Sequence, residues 1–165
     1  MLDSIVSVLG IIGFIFSLIN FVYFFIIRKK HLIIKFGEYG IRNFRDDKKL
    51  LIIDYRFDNA SQLPISITNV QILIDNKFFD CYNRKTLAEE MVRKSNGIII
   101  GRNISYTDKM PINLNSLASQ SGFLAFPIPQ DKLSVGEKSL NFRICTNRGK
   151  AIQKTFVLHA ETKCR

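Results

Sequence analysis

The stretch LIIDYRFDNASQLPISITNVQILI, residues Leu51–Ile74, decides the fold class. Leu51, Ile53, Tyr55 and Phe57 alternate with Ile52, Asp54 and Arg56, which is the period of a half-buried strand and not of a helix. Asn59-Ala60-Ser61 ends that strand, and a second begins after Pro64. In the second, Ile65 and Ile67 share one face while Val70, Ile72 and Ile74 share the other. That change of phase near Thr68-Asn69 predicts a bulge or a strand that switches sheets.

Working outward, Lys77 to Tyr82 pairs back across Asp75-Asn76 as a hairpin. Thr86 to Lys94 carries a helical signature: Thr86 and Glu89 form a capping box, Leu87 and Met91 share a face, and Glu89-Arg93 and Glu90-Lys94 stand at ion-pair spacing. Asn96-Gly97 stops this expected helix. Strands are expected at Ile98 to Tyr106, Gly122 to Phe126 and Leu140 to Cys145. The last of these turns through Thr146-Asn147-Arg148-Gly149 into Ala151 to His159. Upstream, His31 to Phe36 reads as a first strand, broken by Gly37-Glu38-Tyr39-Gly40. The expectation is a mainly β domain over 31–165, an antiparallel β-sandwich of immunoglobulin-like general plan with one short helix.

Before His31 the pattern is different. From Ser4 to Ile27 no residue is charged, and a helix of that length reaches roughly 36 Å, enough to cross a bilayer with some tilt. The start is Met-Leu-Asp, and the apolar run is longer than a secretory signal needs, with no small-x-small cleavage site. Residues 1–30 therefore read as an uncleaved single-pass transmembrane anchor with a basic flank. Arg28, Lys29, Lys30, Lys35, Arg42 and Arg45 follow it, which places the amino terminus outside and the C-terminal domain in the cytoplasm, at the cell membrane. Within the anchor, Gly10, Gly13, Ser17 and Asn20 fall within about 80° of one another, a small-residue stripe through which copies of the helix would associate.

The chain carries 24 Lys and Arg against 14 Asp and Glu. Setting aside Asp3, Arg28, Lys29 and Lys30 leaves 21 basic and 13 acidic residues, a net of +8 on the domain. Such a surface attracts anionic lipid headgroups, an acidic protein or nucleic acid. Arg28, Lys29, Lys30 and Lys35 cluster at the membrane exit, and Arg143, Arg148, Lys150 and Lys154 gather around the last hairpin as candidate contacts for an anionic partner. Cys81, Cys145 and Cys164 are odd in number and widely spaced, and His31 and His159 stand apart, so neither a disulfide framework nor a metal site is expected. Ile occurs 24 times and Ala 6 times, with 12 Asn and no Trp, the bias of an AT-rich genome such as that of a low-GC bacterium.

Catalytic motifs do not emerge. Gly97 to Gly101 lacks the Lys and Ser/Thr of a phosphate cradle, and the adjacent pairs Asp46-Asp47 and Glu89-Glu90 point their carboxylates apart. Asn59-Ala60-Ser61 and Asn103-Ile104-Ser105 match glycosylation acceptors, which matter only in a eukaryotic lumen. The expected function is that of a membrane-anchored, non-enzymatic binding or accessory module without cofactor, holding its basic domain at the membrane face for a protein partner. A membrane-tethered nucleic-acid-binding protein is the alternative.

Overall fold

The computed structural model describes residues 2–45, 48–95, 98–132 and 138–160. Asp46-Asp47, the Asn96-Gly97 stop and Cys164 lie outside the described residues. The elements are α1 (Leu2–Arg28), β1 (Leu32–Asn43), β2 (Lys48–Asn59), β3 (Ile65–Ile74), β4 (Lys77–Asp80), β5 (Leu87–Ser95), β6 (Ile98–Tyr106), β7 (Ile112–Leu114), β8 (Ser119–Pro129), a 3₁₀ turn (Gln130–Lys132), β9 (Lys138–Thr146) and β10 (Ile152–Ala160). The chain is mainly β with one N-terminal apolar helix.

Seven strands follow the order β4-β3-β9-β10-β1-β2-β8, with β7 added beside β3, while β5 and β6 form a separate two-stranded ribbon. The long path is curled. Tyr82, just past β4 at one end, donates its N–H to Ala125 O of β8 at the other end (2.7 Å). Neighbours pair antiparallel except β1 and β10, whose parallel ladder pairs Glu38 with His159 and Tyr39 with Ala160 among the described residues. The expected fully antiparallel arrangement is corrected at that junction.

The alternation over Leu51–Phe57 holds: Leu51, Ile53, Tyr55 and Phe57 are buried in the main core. Ile52 and Leu50, on the opposite face, are buried too, because Ala88 of β5, Phe44, Tyr82 and Phe123 cover them in a second cluster. The phase change in β3 is a bulge, located between Ile67 and Asn69 in the pairing with β9. At the margin of the main core, half-buried Phe36 stacks on the fully buried Phe142 (4.1 Å between centroids) and meets Phe156 edge-on (4.9 Å). Aromatic pairs of this kind add about 0.5–1.5 kcal/mol beyond area burial.

The first strand does not break at Gly37-Gly40. It continues to Asn43 through an irregularity between Phe36 and Tyr39. The cause is Asp54 on the neighbouring strand: a Cβ at Gly37 would stand 2.5 Å from its carboxylate, and the Gly37 and Glu38 amides bond toward that carboxylate. The expected helix over Thr86–Lys94 is the larger correction, for those residues form β5. Thr86 N–H donates to Thr107 Oγ1 (3.0 Å) instead of opening a helix, and Thr107 N–H donates to Thr86 O (2.9 Å). Glu90 pairs across the ladder with Arg102 (2.6 Å). The β-branched run Ile98-Ile99-Ile100 supplies a partner strand, and ladder pairing outweighs a helix preference of a few tenths of a kcal/mol per residue. No helix of the expected kind remains in the domain among the described residues, where the 3₁₀ turn at Gln130–Lys132 is the nearest equivalent.

Candidate functional site

The apolar part of α1, Leu9–Ile26, has a mean hydropathy of 2.3 and none of it is buried, so it is a candidate membrane span or signal sequence. Gly10, Gly13, Ser17 and Asn20 lie exposed on it, and a Cβ at Gly10 or Gly13 would meet nothing within 4 Å. Ser17 and Asn20 line a shallow hollow with Phe21 and Phe24. The chain passes from Arg28 to Leu32 through Lys29-Lys30-His31 alone, so the rim of the domain where β1 begins faces the end of the helix.

Three loops build that rim, and hydrogen bonds tie them together. Asn59, only 2% exposed, donates its side-chain N–H groups to Leu63 O (3.0 Å) and Asn115 O (2.8 Å). Its Oδ1 accepts from Ser61 N–H (3.0 Å) and Ser61 Oγ (2.5 Å). Leu117 N–H donates to Ser61 O (3.3 Å), Asn147 N–H to Ser66 O (2.9 Å), and Ala60 N–H to His31 O (2.9 Å). The third loop joins through Arg148 Nη1, which donates to Leu63 O (3.4 Å). Asn59 thus serves as the staple of the rim. As a glycosylation acceptor its side chain would have to be free in solvent.

The two sequence-distant basic groups partly converge here. Lys30 Nζ donates to Thr146 Oγ1 (3.1 Å) and to Lys150 O (2.8 Å), joining the helix exit to the β9–β10 hairpin. Burial first, and the Arg148 guanidinium second, hold the Lys30 ammonium below the usual lysine range. Lys29 is exposed beside it. The loop segments 59–64, 115–118 and 146–151 contain no Asp or Glu, so Lys29, Lys30, Arg148 and Lys150 lie at the α1 end of the domain without a carboxylate in those loops. Leu117, 73% exposed, projects from the same rim at a φ of 53°.

The remaining predicted contacts do not join them. Lys35 is an exposed residue of β1 opposite Arg56. Arg143 is paired with Gln153 and Lys154 with Phe142, so the pleat sends these two side chains to opposite faces. Arg143 lies over the Phe78 ring (5.4 Å) with Nε buried and without a hydrogen-bond partner, and Lys154 lies over Phe156 (5.3 Å). The Arg28 side chain lies outside the described residues.

A second surface escaped the sequence reading. The β5–β6 ribbon joins the body near Arg42, whose Nη1 donates to Leu87 O (3.1 Å), and at Ala88 in the outer cluster. Arg42 is at the end of β1 remote from α1, about 30 Å along the strand from Leu32. Beyond that base the ribbon exposes Met91, Ile99 and Ile100, the two isoleucines at 59% and 67%, and Tyr106 is exposed at the base opposite Leu87. The triple isoleucine was the available signal, and the expected helix obscured it.

Chemistry-bearing side chains are restrained. Tyr55 OH donates to Asp108 Oδ2 (2.8 Å), and a Cβ at Gly122 would collide with that carboxylate. Burial and then the Asp108 bond push the Tyr55 hydroxyl far above its ordinary range. Burial pushes the Cys81 thiol up to about 12. Neither ionises near neutral pH. Among the described residues no group of His, Cys, Asp and Glu has the arrangement of a metal site. No family model matches the chain, and neither does any curated protein.

Proposed function

We propose that this chain is a single-pass membrane protein whose basic β domain sits against the cytoplasmic face and acts by binding a protein partner, not by catalysis. The observation that carries this reading is the β5–β6 ribbon, which leaves the body at the end remote from the anchor and exposes Ile99 and Ile100. A two-stranded ribbon is at best marginally stable in water by itself, and exposed apolar side chains on such an element mark a contact surface. Arg28, Lys29, Lys30, Lys35, Arg42 and Arg45, which follow the apolar run, support the orientation. The finer fold reading is an immunoglobulin-like sandwich. Its support is the strand order: β8-β2-β1 and β10-β9-β3-β4 form two runs joined by the short parallel β1–β10 ladder and, at the other edge, by the Tyr82–Ala125 bond.

The test is site-specific photo-crosslinking in the full-length chain in its native membrane. A crosslinker at Ile100 should capture a discrete protein that one at Thr155, on the exposed part of β10, does not capture. Ile100→Asp should abolish co-purification of that protein while leaving the unfolding temperature within about 2 °C. Equal crosslinking at the two positions, or undiminished co-purification with Ile100→Asp, would remove the ribbon as the binding element.

A further inference from the structure

We propose that the groove between the last turns of α1 and the loop after β2 binds an anionic phospholipid, its phosphate between Lys29 and Lys30 and an acyl chain against Tyr23 and Ile26. This rests on the reading of α1 as a membrane span. The groove measures about 390 Å³, within the range of small-molecule sites. Its walls divide by chemistry: Tyr23 and Ile26 are contributed by the helix, and Lys29, Lys30, Ser61 and Gln62 by the exit and the loop. An apolar wall running into the helix and a cationic, hydrogen-bonding wall at its end match a lipid at the headgroup level.

Lys30 distinguishes this groove from an ordinary basic flank. A flanking lysine normally moves its ammonium freely to the interface, whereas Lys30 is fixed by Thr146 Oγ1 and Lys150 O. An ammonium has three donors, so one remains for a phosphate oxygen. The fixed charge stands near Arg148 on a rim whose loop segments contain no carboxylate, so an anion would relieve repulsion there. Ser61 is not needed as a ligand, because the single proton of its hydroxyl is already directed to Asn59 Oδ1.

Native mass spectrometry of the full-length chain, released from detergent micelles doped equally with phosphatidylglycerol and phosphatidylcholine, tests the site. The wild type should retain phosphatidylglycerol at least fivefold over phosphatidylcholine. Lys29→Gln and Lys30→Gln should each cut that retention roughly fivefold, and Lys35→Gln should leave it unchanged. Lys29→Gln is the decisive variant, since the exposed Lys29 side chain can be altered without loosening the hairpin that Lys30 secures. Added glycerol phosphate should not displace the lipid; displacement would overturn the lipid assignment in favour of a soluble phosphate ligand. Equal retention of the two lipids, or full retention in Lys29→Gln, would overturn the site. Carbonate washing of the parent membranes separates the two readings: a chain that stays in the membrane without lipid preference sinks only the groove, and a chain that washes off sinks the span and the groove together.

Discussion

Asn59 shows how one buried side chain organises a surface. Its amide and carbonyl join the 59–64 and 115–118 loops, and the group is nearly inaccessible to water. Asn59→Ala would leave Leu63 O, Asn115 O and Ser61 N–H without these partners, at a cost of about 2–4 kcal/mol. Chemical denaturation of the domain should show that loss, and the anionic-vesicle affinity of the rim should fall with it. Nothing in Asn59-Ala60-Ser61 announces this role, because a turn-forming Asn and a stapling Asn are the same letters until the second loop is in place. Asp54 yields a different expectation. Burial raises its carboxyl above the usual range, Glu38 adds to the rise, and the Gly37 and Glu38 amides oppose it. A group whose folded pKa is raised stabilises the fold at low pH, and that contribution is lost as pH rises through the folded value. Asp54→Asn keeps the amide bonds and removes the titration. The stability of wild type relative to Asp54→Asn should therefore decline from pH 4 to pH 7, as followed by urea unfolding at each pH. A flat difference, or one that grows with pH, would show that Asp54 is better solvated than its position between β1 and β2 implies.

At the scale of elements, the strands with strict alternation were legible and the one with helical spacing was not. Leu51–Phe57 and Leu140–Cys145 bury every second side chain in one core, so the local pattern and the tertiary environment agree. In β5 they disagree. Thr86, Glu89, Glu90, Arg93 and Lys94 satisfy every local rule for a helix, yet the next nine-residue strand pairs with them from Leu87↔Tyr106 to Ser95↔Ile98. Local spacing holds no information about a strand that arrives later. A double-mutant cycle separates the two arrangements. Glu90 with Arg102 should show a coupling of about 0.2–1 kcal/mol, as for a partly exposed cross-strand pair, and Glu90 with Lys94 should show none. The reverse result would restore the helix and remove the exposed ribbon with it.

The whole molecule presents a different surface at each end. Lys29, Lys30, Arg148 and Lys150 occupy the rim beside α1, and the ribbon with its exposed isoleucines joins the body at the far end. Composition revealed the basic excess, but the meeting of Lys30 with Arg148 and Lys150 depends on loops separated by up to about 90 residues of sequence, which only the curled sheet brings together. The helix contributes little to this body beyond the Lys30 tie, since its described side chains are exposed from Leu9 to Ile26. A fragment spanning residues 30–165 keeps that tie and should fold by itself. Its core is drawn from β1, β2, β3, β7, β8, β9 and β10, and a domain of this size buries enough surface for a cooperative transition. The expected circular dichroism is of β type, with a single unfolding transition insensitive to chelator and to reductant. The fragment should bind vesicles containing anionic lipid at low salt and release them at high salt, because exposed charges are screened over about 8–10 Å near physiological ionic strength. Leu117→Asp should weaken that binding several-fold without lowering stability, since the side chain packs against nothing it would lose, being 73% exposed. Vesicle binding that is unchanged by Leu117→Asp and by salt would mean that the rim does not meet the lipid, and the domain would then have to stand on the membrane by another face.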